Sequence, residues 1–307
     1  MRVASLFCGC GGLDLGFKNA GFDIVWANDF DKYAIKTYNA NFEKAACCAD
    51  INTVNYDDIP EHDVLIGGFP CQPFSVMGDE KGFEDARGKL FFRVIDIIEN
   101  QKKRGHQPSV VVLENVRNLL THNNGKTIAK MKRMLKKMGY NVFISPINSA
   151  DYGVPQKRNR VFLVCLLNDI DYKFPAPEKL DKTLQDLLEH NVDDKYFLSE
   201  RIKKTILSGV NGKFVAKIDT DLKIARPLTA TMAKMHRACQ DNYVTQEKGL
   251  RRLTPRECAR LQGFPDDFVI PVSDAQAYKQ FGNAVTVTVS EAIAESIMNQ
   301  VVKVNAY

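Results

Sequence analysis

The sequence predicts an α/β fold, with a mostly parallel sheet covered by helices on both faces. Three observations carry that prediction. Compact apolar runs of strand length alternate with segments whose apolar residues recur on a helical period. The first run, Arg2 to Phe7, ends directly in a glycine cluster, as a strand does when it turns tightly into a helix. The alternation holds to about residue 167 and then stops, which sets a second, smaller domain apart.

The elements follow in order. Phe22 to Asn28 reads as a strand and Asp31 to Phe42 as a helix. Val64 to Phe69 and Val110 to Asn115 are apolar runs bounded by polar residues, the pattern of buried strands. Between them Leu90 to Gln101 has helical periodicity. Ile128, Met131, Leu135 and Met138 repeat it, with Gly139 as a C-terminal stop. A further strand is expected over Gln156 to Phe162. The prolines of Tyr172 to Pro177 are unsuited to helix or central strand. Residues 178–250 offer short amphipathic pieces, Leu180–Glu189 and Ser199–Ser208, and a hairpin turn at Asn211-Gly212. Regular structure resumes at TPRECARLQGF, where Thr254 suits an N-cap and Pro255 the first helical position. A last helix is expected over about Thr286 to Val302.

Composition narrows the class. The chain has 307 residues, 45% hydrophobic and 26% charged, which is ordinary for a folded protein and allows about two domains. No apolar run is long enough for a membrane span, and the start MRVASLFCGC does not read as a secretory signal. The eight cysteines include no C-x-x-C pair, so neither a disulfide framework nor a structural zinc site is expected. Reduced thiols in a cytoplasmic protein are the expectation, with Cys8, Cys10, Cys47 and Cys48 as small buried hydrophobes. The net charge of +5 is unevenly spread: +4 over residues 1–167, −5 over 168–200, +6 over 201–250 and zero thereafter. The basic stretch at 201–250 fits either a polyanion grip or a solvated face. A second basic cluster, Lys126 to Lys137, lies on the polar side of a predicted helix and reads as a solvated face.

Several constellations carry chemistry. Phe7-Cys8-Gly9-Cys10-Gly11-Gly12 follows the first strand, where glycines let the backbone approach a nucleotide-like ligand closely, or simply pack tightly. Asp29, ending the next strand, is placed to accept hydrogen bonds from ribose hydroxyls. In GGFPCQPFS, Cys71 emerges at a strand's carboxyl end between two prolines, ahead of a polar stretch, Val76 to Gly88, long enough for a mobile loop. That setting favours a nucleophile over a structural thiol. Glu114 ends a buried-type strand, where a carboxylate is costly unless ion-paired or used. Gln156, Arg158 and Arg160 share one face if the segment is a strand, either a solvent edge or a site for anions and carbonyls.

Taken together the chain resembles the DNA cytosine carbon-5 methyltransferases, in their stand-alone prokaryotic or phage form. The ordered set is FCGCGG, Asp29, ADI at 49–51, GGFPCQPFS, DARGKLF, ENV and QKRNR, then after a variable gap RLTPRECARLQGFP and QFGNAV. The resemblance implies a Rossmann-like sheet that binds S-adenosylmethionine, needs no metal, and carries a small inserted target-recognition domain. Residues 1–167 would form the catalytic domain, 168–250 the insert, and 251–307 would return to complete the first. Phe7, Gly9, Gly11 and Gly12 would line the methionine end of the cofactor, Asp29 the ribose, and Asp50 and Ile51 the adenine. Phe30, Pro70 and Leu90 would pack around it, with Asn283 and Ala284 completing the pocket.

The resemblance also implies roles in the reaction. Cys71 would add to carbon 6 of cytosine, Glu114 would engage ring nitrogen 3, and Arg160 would bind the carbonyl oxygen and orient Glu114. Arg158 would serve backbone phosphates. Gln72, Ser75 and Arg87, in the loop after Cys71, would contact double-stranded DNA. In the recognition region Arg226, Thr229, Thr231, Lys234, Arg237 and Asn242 are the candidate readers. Many family members have Thr-Leu where this chain has Pro227-Leu228. A monomer in the bacterial cytoplasm, working at the nucleoid and paired genetically with a restriction endonuclease, is the expected context. Two other readings are weaker. The tRNA-methylating branch has a Cys-Phe-Thr signature absent here, and a non-catalytic binding module would lack Cys71, Glu114 or Arg160.

Overall fold

The structure is a computed structural model, and it describes residues 1–69, 89–207, 210–211, 214–215, 219–234, 236–237 and 239–302. A seven-stranded sheet is built from β1 (Arg2–Leu6), β2 (Asp23–Asp29), β3 (Cys47–Cys48), β4 (Val64–Gly68), β5 (Val110–Val116), β6 (Asn141–Asn148) and β7 (Asn159–Leu166). Its order is β3-β2-β1-β4-β5-β7-β6. β1 pairs in parallel with β2 and β4, β2 with β3, and β4 with β5, whereas β7 runs antiparallel to β5. Helices α1 (Gly12–Asn19), α2 (Lys32–Asn39), α3 (Lys89–Lys103) and α4 (Lys126–Lys137) connect the strands. The mostly parallel α/β sheet is therefore as the alternating pattern predicts, and the order reverses between β1 and β4, the point at which open sheets of this kind bind ligands.

Both faces of the central strands are buried, as parallel strands require. On one face Leu6, Leu65, Val111, Leu113 and Leu163 pack with Phe91, Ile95 and Ile98 of α3 and with Met131 and Leu135 of α4. The edge strand β6 carries an exposed proline, Pro146, which cannot donate to a further ladder. The predicted strand at Gln156 begins only at Asn159, so Gln156 and Arg158 do not share a strand face with Arg160. The 172–177 segment has no regular structure, as its prolines require, and Gly139 ends α4 at φ +97°.

The chain divides into two compact units. The first comprises residues 1–147, 159–176 and 289–307, and the second 148–158 and 177–288. These bounds depart from those expected: residues 148–158 and most of the stretch from 251 onward belong to the smaller unit. Its elements are α5 (Glu200–Leu207), β8 (Val210–Asn211), β9 (Phe214–Val215), β10 (Tyr243–Gln246), β11 (Gly249–Arg252), α6 (Pro255–Leu261) and α7 (Asp274–Asn283). β8 and β9 flank the expected hairpin turn, whereas Leu180–Glu189 yields only a short 3-10 turn. α8 (Val287–Ile297) falls inside the range expected for the last helix and is followed by a π-helical turn over Met298–Val302. In the first unit Ser290 of α8 donates to the Leu13 carbonyl of α1. Among the described residues no helix is long and apolar enough to cross a membrane.

Two buried carboxylates define local chemistry. At the start of α6, Thr254 caps the helix and Glu257 closes a capping box. Glu257 also receives both guanidinium arms of Arg251 at 2.7 and 2.8 Å, and neither side chain is exposed. In the first unit Asp14 is buried under the glycine-rich turn, accepting from Ser5 and Tyr38 at 2.9 Å each. Burial pushes its carboxyl up to about 6, against the hydrogen bonds from Ser5 and Tyr38.

Two outcomes follow from these carboxylates. The fold holds the Asp14 proton where the unfolded chain has released it, so stability falls as pH rises from about 4 to about 6. Asp14→Asn is expected to remove that slope, about 3 kcal/mol in urea-melt free energies between pH 4 and 7. A variant profile parallel to the parent's would refute burial as its cause. Glu257→Ala, which strands the Arg251 charge, is expected to destabilise by about 3–5 kcal/mol in the same assay. A loss under about 1 kcal/mol would show that the pair is not what holds this region.

Candidate active site

Because β1, β2, β4 and β5 are parallel, their carboxyl ends lie along one edge of the sheet. That edge carries the Phe7–Gly12 turn after β1, Asp29 and Phe30 at the end of β2, Gly68 and Phe69 at the end of β4, and Glu114 and Asn115 on β5. The antiparallel β7 brings its first residues, Asn159 and Arg160, to the same edge. The topology therefore gathers residues far apart in sequence.

The turn after β1 is shaped for close approach. Phe7, Gly9 and Gly11 all have positive φ, at +57°, +57° and +95°. For Phe7 this left-handed conformation costs about 1–3 kcal/mol, and such strain concentrates at ligand clamps. A side chain at Gly9 would meet no atom within 4 Å, so open space lies in front of the backbone there. At Gly11 a side chain would collide with the Phe42 ring at 2.3 Å, so tight packing explains that glycine. Gly12 is buried as the first residue of α1. The cluster thus combines an open face at Gly9 with close packing at Gly11.

Asp29 ties the turn to β2. Its Oδ2 accepts the Gly9 N–H at 3.0 Å and its Oδ1 the Asp31 N–H at 2.8 Å. Burial raises its pKa, and these backbone donors pull the other way. A carboxylate has about four lone-pair directions, so acceptor capacity remains for hydroxyl donors. The adjacent Phe30 is 73% exposed, a large apolar ring presented at a strand end. Asn28 donates to the Cys47 and Ala49 carbonyls at 2.9 Å, which seats the Ala49-Asp50-Ile51 segment beside β2. Asp50 is exposed and its Oδ1 accepts from Asn52, whereas the Ile51 side chain is buried in the core. What Ile51 can offer a ligand is its backbone. Leu90 and Phe7 are half-buried against that same core. An open glycine cradle, a strand-end carboxylate and an exposed aromatic ring fit a nucleoside-bearing cofactor.

Glu114 and Arg160 form the second part of the site. Arg160 Nε lies 3.0 Å from Glu114 Oε1, and both side chains are largely buried. The register pairs Glu114 with Phe162 and Val116 with Arg160, so the two meet diagonally on one sheet face. Gly68 is paired with Glu114 on the other side. Asn115 donates to the Phe69 carbonyl at 2.9 Å and fixes the chain where β4 ends. The residues expected next, Pro70, Cys71, Gln72, Ser75 and Arg87, together with the 76–88 loop, lie outside the described residues. Of the other thiols, burial pushes Cys10 up to about 12 and raises Cys8, Cys165 and Cys258 as well, so they remain protonated. Cys48 is exposed, contrary to expectation.

In the second unit Asn283 is exposed at the end of α7 and Ala284 caps it. Several expected readers of DNA are engaged elsewhere. The phosphate role of Arg158 is corrected: its side chain is 1% exposed and donates to the Leu228, Gly282 and Ala284 carbonyls at 3.1, 3.1 and 2.9 Å. Asn242 is buried and exchanges two hydrogen bonds with the Arg226 backbone. The Arg226 guanidinium pairs with Asp219. Arg237 pairs with Asp241 at 3.0 Å and donates to Thr229. These side chains build the loop, and of the expected readers Thr231 and Lys234 stand exposed on it.

Asp14, Asn28 and Asn115 act in the site's support and escaped the sequence reading. A polar residue inside an apolar run, as in Leu13-Asp14-Leu15, is the signal that marks the first. For the two asparagines the signal is a polar side chain at the end of an apolar strand.

Comparison with known proteins agrees with this geometry. The model of the family C-5 cytosine-specific DNA methylase matches residues 1–299. The Type II methyltransferase M.NlaX of Neisseria lactamica is 40% identical over 305 residues, 96% of each chain. M.HhaI of Haemophilus parahaemolyticus is 39% identical, covering 97% of this chain and 94% of its own. Among solved structures, the Entamoeba histolytica methyltransferase EhMeth superposes with a TM-score of 0.82 at 20% identity, over 97% of this chain and 98% of its own, a likeness of fold. The chain belongs to the C-5 cytosine-specific DNA methylases, enzymes that methylate DNA with S-adenosylmethionine as the methyl donor.

Proposed function

We propose that this enzyme methylates carbon 5 of a cytosine flipped out of a short, specific site in double-stranded DNA, through a covalent bond between Cys71 and cytosine carbon 6. The observation that carries the reading is the Glu114–Arg160 pair at the sheet edge, 3.0 Å apart and beside the end of β4. The strand leading to Cys71 ends there. The relatives named as Type II methyltransferases support its role as the modification half of a restriction-modification system with a cognate endonuclease. The reading takes it as a monomer working on nucleoid DNA in the bacterial cytoplasm.

The chemistry assigns each residue a task. Carbon 5 of cytosine is a poor nucleophile, and addition of the Cys71 thiolate to carbon 6 turns the ring into an enamine. S-adenosylmethionine, when bound, supplies an electrophilic methyl group. Glu114 delivers a proton to ring nitrogen 3, which draws electron density from carbon 6 and is returned as the ring is restored, while Arg160 holds the base carbonyl and orients Glu114. Water then takes the carbon-5 proton, and loss of the thiolate restores the aromatic ring. The base must leave the duplex to reach these groups, at a cost of a few kcal/mol.

For the cofactor, Gly9, Gly11 and Gly12 with Phe7 supply the backbone of the methionine end, and Asp29 the ribose contact. Asp50 and Ile51 take the adenine edge, and Phe30, Pro70 and Leu90 pack around it. Asn283 and Ala284 remain with this set as the resemblance assigns them. Gln72, Ser75 and Arg87 remain assigned to DNA, with Thr231 and Lys234 as the exposed readers of the recognition region.

Cys71→Ser is expected to abolish methyl transfer, measured with a labelled methyl donor, while gel-shift affinity for DNA persists. Near-parental activity would eliminate the covalent route. A duplex carrying 5-fluorocytosine at the target should become covalently attached at Cys71, identified by peptide mapping. Attachment at another residue would overturn the assignment. Arg160→Ala should lower kcat by about 10²–10³, the range for loss of one group that stabilises developing charge. A change confined to KM would make Arg160 a binding residue only.

A further inference from the structure

Within the second unit, two buried side chains grip one peptide. Gln156 Oε1 accepts the Leu228 N–H at 2.9 Å, and Arg158 Nη1 donates to the Leu228 carbonyl at 3.1 Å. Both side chains are essentially unexposed, at 0% and 1%. Their remaining groups reach the same framework. Gln156 Nε2 donates to the Leu261 carbonyl at 2.8 Å, and Arg158 Nη2 donates to Gly282 and Ala284 at the end of α7. A third contact presses from below. A side chain at Gly282 would stand 2.3 Å from the Ala230 nitrogen and the Thr229 carbonyl carbon, so these backbones touch. Residues 228–230 thus rest on Gly282 with both backbone groups of Leu228 held from the side.

We propose that Gln156 and Arg158 are positioning residues for target recognition, which set the depth of the Thr229–Thr231 turn and so decide how its exposed side chains meet the DNA. The inference rests on the DNA-methylating function proposed above and goes beyond it, because neither side chain touches the nucleic acid. Burial gives the arrangement its stiffness: a buried guanidinium that loses a carbonyl partner has no water to replace it. Lysine keeps the charge but, with a single ammonium, loses the planar fork that serves three carbonyls from fixed directions. The grip on Leu228 is through its backbone, while its side chain is buried, and the preceding proline needs no N–H.

The site methylated by the wild-type enzyme is first mapped on a sequence-diverse DNA library by deamination sequencing. Steady-state kinetics then compare a duplex bearing that site with duplexes carrying single base-pair changes in it. Arg158→Lys is expected to lower kcat/KM on the mapped site by about 10–100-fold, as for loss of buried charged hydrogen bonds. The loss should fall more on KM for DNA than on kcat, and discrimination against the altered duplexes should shrink by about tenfold or more. Gln156→Glu keeps the acceptor for Leu228 and should lose less discrimination than Gln156→Leu. This second pair decides the matter if Arg158→Lys does not fold. Unchanged discrimination in Arg158→Lys or Gln156→Leu would overturn the proposal. So would a fall of about one in the slope of log affinity against log salt for Arg158→Lys, the signature of a lost phosphate contact. A wild-type enzyme that methylates no cytosine would instead refute the underlying function, before any variant is made.

Discussion

Glu114 can stand nearly buried at the end of a central strand because Arg160 meets it across the β5–β7 pair. That ion pair imposes a direction on the sheet. In a parallel neighbour the residue following a strand-end carboxylate emerges on the same edge at its carboxyl end. Here the arginine stands at the beginning of β7, so β7 must run antiparallel to reach that edge. The placing of β7 between β5 and β6, antiparallel to β5, is what joins a carboxylate from one strand to a cation that follows 46 residues later by number. Desolvation makes the pair costly, so its presence at the ligand edge points to use rather than to stability.

Asp14 and Glu257 show two other ways to bury a carboxylate. Glu257 is fully answered, with two guanidinium donors from Arg251 and the backbone N–H groups of Glu189 and Thr254. Asp14 has hydroxyl donors, and burial raises its pKa to about 6. Both are structural: one fastens the start of α6 to β11, the other braces β1, α1 and α2 under the turn that the cofactor is proposed to occupy. Glu114 differs in having its cation at a strand end, on the edge where the other site residues collect.

The fold was legible because its signals are local. Val64 to Phe69 and Val110 to Asn115 become β4 and β5 within a residue at either end, and Gly139 stops α4 as its position suggests. The Thr254-Pro255 start of α6 is a capping box whose parts lie within four residues. The candidate site was legible in its chemistry, since Asp29, Glu114 and Arg160 sit at strand ends where a charged residue needs a reason. The misses are nonlocal. Period-two spacing put Gln156, Arg158 and Arg160 on one strand, but the strand starts at Asn159 because the preceding residues spend their hydrogen bonds on Ala225, Leu228 and Leu261. No pattern near residue 156 announces partners about 70 and 105 positions away.

Arginine is where sequence reasoning about nucleic-acid binding is weakest, and the second unit shows why. Arg226 and Arg237 belong to the stretch whose basic excess suggested a polyanion, and Arg158 and Arg251 to the same unit, yet each is engaged with protein carbonyls or carboxylates. A guanidinium presents five donors in a rigid fork, which suits the packing of irregular backbone as well as it suits a phosphate. The described residues of the second unit form few long helices or strands to satisfy its carbonyls, so it needs such donors internally. Charge counts treat these arginines and an exposed lysine such as Lys234 alike. Burial separates them: of the cations considered as readers, the one with its charge in solvent is the lysine, whose compact ammonium makes few demands on the protein around it. In such a loop the buried guanidiniums brace the backbone that carries the exposed lysine.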